Sequence, residues 1–257
     1  MKNAMSLILL SFLIVIPLSA QEKDEDQVDR SYSYWDRTKI GGAGGVTPII
    51  GIFDNTGIDA YLTSAGLPKF GSDPIYLIGG EGYGYIMFLK NVRMGGFGAG
   101  GLRSVSKYDP VANVRKDVEY ALSYGGFLID YVQPIAHKLD IAVGASIGGG
   151  SVDITMRRDD GSFKDWDSLW TQFGNPARLT SNYTRKIKGS YVVFNPHVNI
   201  EYTLLTWMQI RVGVGYPIMF SPEWKLDDTF ELNSIPSKIT PKGYTINAGI
   251  MFGFFGW

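Results

Sequence analysis

The amino-acid sequence predicts an all-β protein, an eight-stranded antiparallel up-and-down barrel that crosses a membrane with its strands. Three observations lead to this fold class. Apolar and polar residues alternate with a period of two through eight separate stretches. Short turns and long polar loops alternate between these stretches. Glycine (32 of 257 residues) and aromatic residues (14%) are abundant, which is typical of a tightly curved barrel with aromatic belts.

The first twenty residues, 1–20, have the three regions of a cleaved signal peptide. Lys2 supplies a positive start, 5–17 is almost wholly apolar, and Ser19-Ala20 offers small residues before the cut. The apolar run is shorter than the roughly 20 residues that a spanning helix needs. The sequence therefore predicts export, followed by an acidic leader over 21–35 and a barrel over 36–257.

The alternation is clearest in the sixth and seventh strands. Val198 and Ile200 lie on one face of the sixth strand, while Asn199 and Glu201 lie on the other. The predicted strands cover residues 36–53, 73–88, 91–106, 117–132, 137–155, 189–204, 207–220 and 242–257.

The connections sort into two kinds. Strands two and three, four and five, and six and seven are joined by a few residues near Lys90, Ala136 and Leu205, whereas the other connections are long and polar. This arrangement predicts short periplasmic turns, long extracellular loops and both chain ends in the periplasm. It also predicts two aromatic girdles. The upper one has Tyr76, Tyr120, Tyr191, Tyr216 and Tyr244; the lower one has Trp35, Phe88, Tyr131, Tyr202, Trp207 and Trp257.

Composition argues against several function classes. The 24 basic and 25 acidic residues nearly balance, so nothing indicates nucleic-acid binding. The chain has no cysteine, and its two histidines, His137 and His197, are far apart in sequence, so no metal site is predicted. The glycine clusters at 41–45 and 79–82 are not followed by a helix that would hold a pyrophosphate, so no cofactor is predicted.

The last residues, Phe252-Gly253-Phe254-Phe255-Gly256-Trp257, together with the architecture over 36–257, resemble the small eight-stranded bacterial outer-membrane proteins of the outer membrane protein A transmembrane-domain type. The resemblance implies a monomer in the outer membrane of a Gram-negative-type bacterium, in contact with membrane lipid and lipopolysaccharide. It also implies that the assembly machinery reads the C-terminal aromatic residues, here Phe252, Phe254, Phe255 and Trp257. In this chain Gly249 and Gly253 interrupt the odd-numbered row, and the even-numbered row from Tyr244 to Phe254 is the better lipid face.

The barrel interior should contain a polar network, because an eight-stranded barrel is just wide enough to be filled by its own side chains. Glu201 and Arg211 lie opposite each other if the turn centres on Thr206, which predicts a cross-strand ion pair. Glu81, Arg93 and Arg103 are further candidates whose facing the sequence leaves open. A filled polar plug is favoured over a gate or narrow ion path. The predicted network comprises Glu119, Asp140, Asn195, His197, Asn199, Glu201, Gln209 and Arg211.

One motif suggests catalysis. Residues 144–148 match G-x-S-x-G, and Ser146, His197 and Asp140 are all predicted to face inward on neighbouring strands. However, the motif needs a strand-to-helix turn, and here the strand alternation continues through it. A filled lumen would also leave little room for a substrate, so the sequence favours a protein that is not an enzyme.

The long loops carry the remaining candidates. Residues 56–65 predict a short helix, because Thr56 and Asp59 have capping-box spacing and Gly66 supplies a stop. This helix would cap the barrel mouth or lie on the outer leaflet, and capping is the favoured position. The loop over 157–188 combines basic residues with tryptophans. This combination would suit lipopolysaccharide phosphates or a protein partner. The alternative is a solvated loop with no specific ligand. Its candidate contacts are Arg157, Arg158, Trp166, Trp170 and Arg185.

The leading functional hypothesis is a structural or surface-interaction role through these loops. The alternative is a narrow pore for small solutes. A soluble periplasmic lipocalin-like carrier is disfavoured because the predicted outward rows are apolar, and an outer-membrane lipid hydrolase is disfavoured because the candidate serine lies in mid-barrel.

Overall fold

A computed structural model of the chain describes residues 38–162, 165–174 and 182–256. The predicted signal peptide, the leader, Trp35 and Trp257 lie outside these residues and stay predictions. Within the described part, no helix has the length and apolar character needed to cross a membrane. The strands are β1 (Ile40–Phe53), β2 (Ile75–Tyr85), β3 (Val92–Asp109), β4 (Val114–Ala136), β5 (Leu139–Asp159), β6 (Tyr183–Leu205), β7 (Met208–Gly215), β8 (Ile218–Leu226), β9 (Phe230–Glu231) and β10 (Gly243–Gly256); the helices are α1 (Thr56–Ser64), α2 (Trp166–Gly174) and a short 3-10 turn (Ser237–Ile239).

The strands close into an eight-membered antiparallel ring. β1 to β6 pair in chain order, β6 pairs with β7, β7 with β10, and β10 with β1. β8 also pairs with β6, above β7, so that β7 and β8 together form the seventh member of the ring. The break between them falls at Tyr216 and Pro217, because proline has no N–H to donate to the ladder. The eight-stranded up-and-down barrel is thus confirmed.

The predicted short turns join the strands at one end of the barrel. β4 and β5 are separated by two residues, His137 and Lys138, and β6 and β7 by Thr206 and Trp207. Lys138 has a positive φ of 65°, as does Asn91 (61°) at the β2–β3 turn. Such left-handed residues are common in tight hairpin connections.

β3 to β6 extend further than the sequence predicted, and their polarity reverses along their length. In the lower part, outward residues such as Phe127, Ile129 and Ile147 are apolar and exposed. Above the Ser123–Ser151 hydroxyl contact (3.0 Å), most outward residues are polar, with the exposed Leu102 as an exception, and inward residues such as Leu122 and Val152 are apolar and buried. We call the part of β3–β6 above this contact the extension. The sequence assigned the strand ends of the extension to loops, because a strand that stands in water is as polar on its outer face as a loop.

This reversal also explains one wrong prediction. Tyr76, Tyr216 and Tyr244 are exposed at the upper end of the apolar band, as expected of a girdle. Tyr120 and Tyr191 are instead buried, each 4% exposed, because at their height the interior is apolar. At the lower end the exposed aromatic side chains include Phe88, Tyr131, Tyr202 and Trp207.

Helix α1 caps the barrel mouth, the favoured of the two predicted positions. Leu62, Leu67 and Phe70 are buried in the apolar cluster that fills the extension. The predicted capping box is absent. Asp59 instead accepts hydrogen bonds from the N–H groups of Phe70 (2.7 Å) and Gly71 (3.0 Å), which ties the segment after the helix back to it.

Candidate functional site

A buried ionic network fills the lower half of the barrel, with Arg93 at its centre. The Arg93 guanidinium donates from Nη1 and Nη2 to the two oxygens of Glu201, at 2.8 and 2.6 Å. Its Nε donates to Asp130 Oδ2 at 2.9 Å. All three side chains are at most 1% exposed. Because the guanidinium is held on two sides by carboxylates, its charge is compensated within the lumen.

Arg211 extends the network to the opposite wall. It lies directly across from Glu201 in the β6–β7 register, as predicted, with 3.5 Å between Nη1 and Glu201 Oε1. The predicted ion pair is confirmed, but the shorter contact of Arg211 is with Glu81 Oε1, at 2.6 Å. Glu81 and Arg93, whose facing the sequence left open, therefore both belong to the network.

His197 and Lys39 are further buried partners of the carboxylates in this network. His197 Nε2 lies 2.8 Å from Asp130 Oδ1, and its Nδ1 lies 3.2 Å from the Asn195 carbonyl oxygen. Nearer the short turns, Lys39 Nζ lies 2.8 Å from Asp140 Oδ2. Hydrogen bonds and ion pairs thus run from wall to wall across the lower interior.

Most of the predicted lumen residues lie where expected. Glu119 is the exception: Val118 and Tyr120 occupy the interior at that height, so Glu119 lies on the outer face of β4. Arg103 is also outside the ionic network and donates to the Asp73 carbonyl (2.9 Å) in the upper layer, over the Phe70 ring. The predicted residues that line the lower interior are Asp140, Asn195, His197, Asn199, Glu201, Gln209 and Arg211.

Three important lumen residues were missed. Asp130 lies between the outward Ile129 and Tyr131, so the period of two would have placed it inward. The Tyr83 hydroxyl donates to Gln209 Oε1 at 2.9 Å, and the centroid of its ring lies 3.9 Å from the Arg93 guanidinium carbon. Tyr83 was missed because it lies in a glycine-rich strand with no clear alternation. Lys39 precedes β1, where no periodicity marks the lumen side.

The candidate catalytic residues do not form a nucleophile–base pair. Ser146 Oγ lies 3.5 Å from the Asn195 carbonyl oxygen, and the His197 ring contacts Asp130 rather than Ser146 or Asp140. Ser146 lies within β5, in unbroken pairing with both neighbours, so the strained turn of a nucleophile elbow is missing there. Among the described residues, no three His, Asp or Glu side chains cluster so as to hold a metal ion.

The predicted loop contacts divide between strands and a helix. Arg157, Arg158 and Arg185 lie at the upper ends of β5 and β6. Trp166 and Trp170 lie on α2, where their rings contact edge to face at a centroid distance of 5.9 Å. Together with Leu169 and Phe173 they form an exposed apolar stripe at i, i+3, i+4 and i+7 on one face of the helix.

A groove of about 800 Å³ lies beside this helix at the tip of the extension. Leu169 of α2, Arg115 of β4, and Arg157 and Arg158 of β5 are among its lining residues. On the neighbouring strand, Arg185 forms an ion pair with Asp227. The Lys186 N–H donates to Asp227 Oδ1 at 3.0 Å. This hydrogen bond and the Arg185 guanidinium hold the pKa of Asp227 below its usual value.

The last strand shows which row faces outward. Phe252 and Phe254 are exposed, with Phe252 stacked on Trp207 at a centroid distance of 6.2 Å. Phe255 points inward and is buried with Tyr83, Leu128 and Met251. The even-numbered row is therefore the lipid-type face, and the assembly role of these residues stays a prediction.

The fold and this site together define a class of protein. An apolar band surrounds the lower barrel, charged residues fill its interior, and the polarity reverses only above that band. Soluble barrels have the opposite arrangement, because water must contact their outer face. The chain is a small transmembrane β-barrel of the outer-membrane type, with eight strands.

Comparison with known proteins gives distant structural likenesses. No protein-family model and no curated protein matches the chain. The attachment invasion locus protein Ail of Yersinia pestis, in complex with the heparin analogue sucrose octasulfate, is 12% identical with a TM-score of 0.42, over 84% of this chain and 99% of Ail. A major outer membrane protein of Thermus thermophilus is 8% identical with a TM-score of 0.45, over 83% of this chain and 99% of that one. The outer membrane protein OprG of Pseudomonas aeruginosa is 10% identical with a TM-score of 0.34, over 85% and 94%. Because these scores are low, the class rests on the chain's own barrel.

Proposed function

We propose that this protein resides in the outer membrane of a Gram-negative-type bacterium and acts there, without catalysis, as a surface-interaction protein. The observation that carries the proposal is the reversal of polarity along β3–β6. A wall that is apolar outside and charged inside fits a bilayer, whereas a wall that is polar outside and apolar inside fits water. One continuous set of strands thus joins a membrane anchor to a folded part that stands above the lipid.

The extension holds its tip well away from the bilayer. From Ser151 to Asp159, a rise of about 3.3 Å per residue and a tilt of about 40° raise the tip by roughly 20 Å. The apolar filling under α1 makes the extension a packed body rather than a set of free loops. A rigid support of this kind lowers the entropic cost of presenting a binding surface.

The tip presents the chemistry of a site for a phosphorylated saccharide. The exposed Trp166 and Trp170 rings offer flat apolar surfaces beside a groove in which guanidinium groups suit phosphate oxygens. Arginine and aspartate side chains alternate in the lining of this groove, and Arg115 is ion-paired with Asp117. Arg157 and Arg158 are therefore the expected phosphate contacts. At this height above the lipid, the phosphorylated saccharide of lipopolysaccharide is the expected ligand. A protein partner is the other outcome that the test below can reveal.

A passive pore is less well supported. The lower interior is crossed by the Arg93–Glu201 and Arg211–Glu81 contacts, and the upper interior is filled by apolar side chains such as Leu62 and Leu77. Both layers would have to open for a solute to pass.

Membrane fractionation is the first test. The protein should be found in the outer-membrane fraction and should migrate differently on a detergent gel before and after boiling, because a closed barrel resists unfolding by detergent. A soluble periplasmic product with a single mobility would overturn the proposed location.

Lipopolysaccharide binding is the second test. The purified full chain in detergent should bind phosphorylated core oligosaccharide, and the Trp166→Ser/Trp170→Ser variant should bind it about tenfold more weakly, a loss of roughly 1.4 kcal/mol. Phe230→Ser, which alters an exposed aromatic residue on β9, is the matched control and should bind normally. Dephosphorylated oligosaccharide should bind weakly. If the tryptophan variant bound the oligosaccharide as well as wild type, the proposed saccharide site would be overturned. If wild type bound a surface protein and the tryptophan variant did not, the ligand at the tip would be a protein partner.

A further inference from the structure

His197 lies where the buried ionic network meets a small chamber in the barrel interior. Its side chain is 10% exposed and reaches from β6 across β5 to Asp130 of β4. The ring also lines the chamber, whose volume is about 50 Å³. Because a water molecule needs about 10–15 Å³ of such space, water can stand beside the ring and exchange a proton with it.

Both ring nitrogens of His197 face oxygens that accept hydrogen bonds. Nε2 lies 2.8 Å from Asp130 Oδ1, and Nδ1 lies 3.2 Å from the backbone carbonyl oxygen of Asn195. The other oxygen of Asp130 accepts a hydrogen bond from Arg93 Nε at 2.9 Å, which favours the ionised carboxylate. A neutral imidazole has one N–H group and one lone pair, so either neutral tautomer would direct a lone pair at an acceptor. Only an imidazolium donates to both oxygens.

The charges of the network lead independently to the same protonation state. In the described interior two guanidinium groups meet three carboxylates; these are Arg93, Arg211, Glu81, Asp130 and Glu201. The separate pair of Lys39 and Asp140 is balanced by itself. An uncompensated charge in a buried site is costly. An imidazolium at His197 makes the count three positive against three negative charges.

The strands around His197 supply no second group that titrates near neutral pH within the described part of the chain. The charged groups are the five of the network, which come from β2, β3, β4, β6 and β7. From β1, β5 and β10 the chamber wall has side chains that do not titrate, namely Thr47, Ser146, Thr245 and Asn247. Tyr124 of β4 also lines the chamber, and an ordinary tyrosine has a pKa near 10. A histidine has an ordinary pKa of about 6.5.

We propose that His197 is an imidazolium that acts as a pH-sensitive lock on the polar plug. With its proton, the ring joins Asp130 on β4 to the Asn195 backbone on β6 and balances the buried charge. Without the proton, one of these two contacts has no hydrogen and the network keeps one negative charge in excess. The link between β4 and β6 then weakens. This device is independent of the saccharide site at the tip of the extension.

The direction of the pH dependence follows from the two states of the chain. The unfolded chain loses the histidine proton around an ordinary pKa of about 6.5, whereas the folded network holds the proton between two acceptors. The stabilisation is therefore fully present below about pH 6.5 and declines as the pH rises above it. While folding takes up one proton, the folding equilibrium constant falls by up to about tenfold for each pH unit.

Urea titration at a series of pH values measures this dependence. For the full chain folded in detergent, the folding equilibrium constant should fall between about pH 6 and about pH 9, the range in which histidine titrates. In His197→Gln the constant should be lower at about pH 6 and nearly independent of pH, because glutamine has no proton to lose. His137→Gln alters the other histidine of the chain, in the β4–β5 turn. It is the matched control and should keep the wild-type dependence.

Imidazole ¹⁵N NMR reads the protonation state directly. At about pH 7.5, where an unfolded histidine is mostly neutral, both ring nitrogens of His197 should have the chemical shifts of nitrogens that carry hydrogen. The spectrum of His137→Gln contains a single histidine and so assigns the signal. This measurement on a chain that retains His197 decides the question even if His197→Gln does not fold.

The same measurements can overturn the proposal. A His197 ring with one nitrogen that lacks hydrogen at about pH 7.5 would show that the network holds a neutral histidine. A wild-type folding constant that stays the same across this pH range would show that no proton is taken up on folding. An equally steep dependence in His197→Gln would assign the proton to another group.

Discussion

Arg93 and Glu201 form a bidentate pair across the barrel although they are 108 residues apart in sequence. Both side chains are fully buried. Parallel N–H···O contacts of this kind are the most directional ion pairs that a protein can form. Their position at the centre of the network makes them the principal polar link between β3 and β6, which are not neighbours in the ring.

Replacing one partner of this pair should destabilise the barrel strongly. Arg93→Met leaves Glu201 and Asp130 with one guanidinium fewer in a buried site, so we expect the free energy of unfolding to fall by about 3–5 kcal/mol. Urea titration of the protein folded in detergent or lipid vesicles measures this. Arg115→Met removes an ion pair with Asp117 at the exposed tip and should change the free energy by less than about 1 kcal/mol. Similar effects of the two substitutions would contradict a special role for the buried pair.

Arg211→Ala distinguishes a plug from a gate. We expect this variant to be less stable, because Glu81 loses its 2.6 Å partner, while conductance across a planar bilayer stays at the background level. The physical reason is the apolar layer above the network, in which Leu62 and Leu77 are at most 2% exposed. Single-channel recording of wild type and variant is the measurement. Discrete conductance steps in the variant alone would show that Arg211 closes a path.

The β8–β9 turn should loosen in acid. Because the Lys186 N–H and the Arg185 guanidinium lower the pKa of Asp227, the carboxylate stabilises the fold fully above its unfolded pKa, near 3.8. This contribution is lost as the pH falls below 3.8 through the lower pKa of the folded state. A carboxyl NMR titration should give a midpoint below 3.8, with the Lys186 amide proton shifting in parallel. In Asp227→Asn the Lys186 shift should no longer follow that titration; an unchanged Lys186 curve in this variant would contradict the assignment.

The sequence was sufficient to predict the ring and the inward rows of its regular strands. Glu201 and Arg211 could be paired because a short turn fixes their register and both lie in clean alternation. Arg93 could not be assigned to Glu201, because the position of β3 opposite β6 follows from closure of the whole ring and not from any local pattern. Glu119 was placed in the lumen because alternation gives the face of a residue but not the height at which the interior changes from polar to apolar.

The candidate site at the tip shows the same limit. The sequence predicts a loop around Trp166 and Trp170, whereas the structure has a helix there, because two turns of helical spacing are a weak pattern within a long polar segment. Arg157, Arg158 and Arg185 were assigned to a loop because strands that stand in water carry charged residues on the outer face. Periodicity alone therefore underestimated the length of the extension by several residues on each strand.

Glycine at position 144 is expected to be essential for assembly of the network. A Cβ atom there would lie 2.0 Å from Asp130 Oδ1 and 2.3 Å from the Ile129 carbonyl oxygen, so in Gly144→Ala the Asp130 side chain must move away from Arg93 and His197. We expect a loss of about 1–3 kcal/mol or more, as for overpacking of a tight core, and a smaller fraction of chain with the folded gel mobility. Gly84→Ala is the matched control, since a Cβ atom at position 84 would meet no heavy atom within 4 Å. If both variants assemble equally well, the close approach of Asp130 to β5 is not required for the fold.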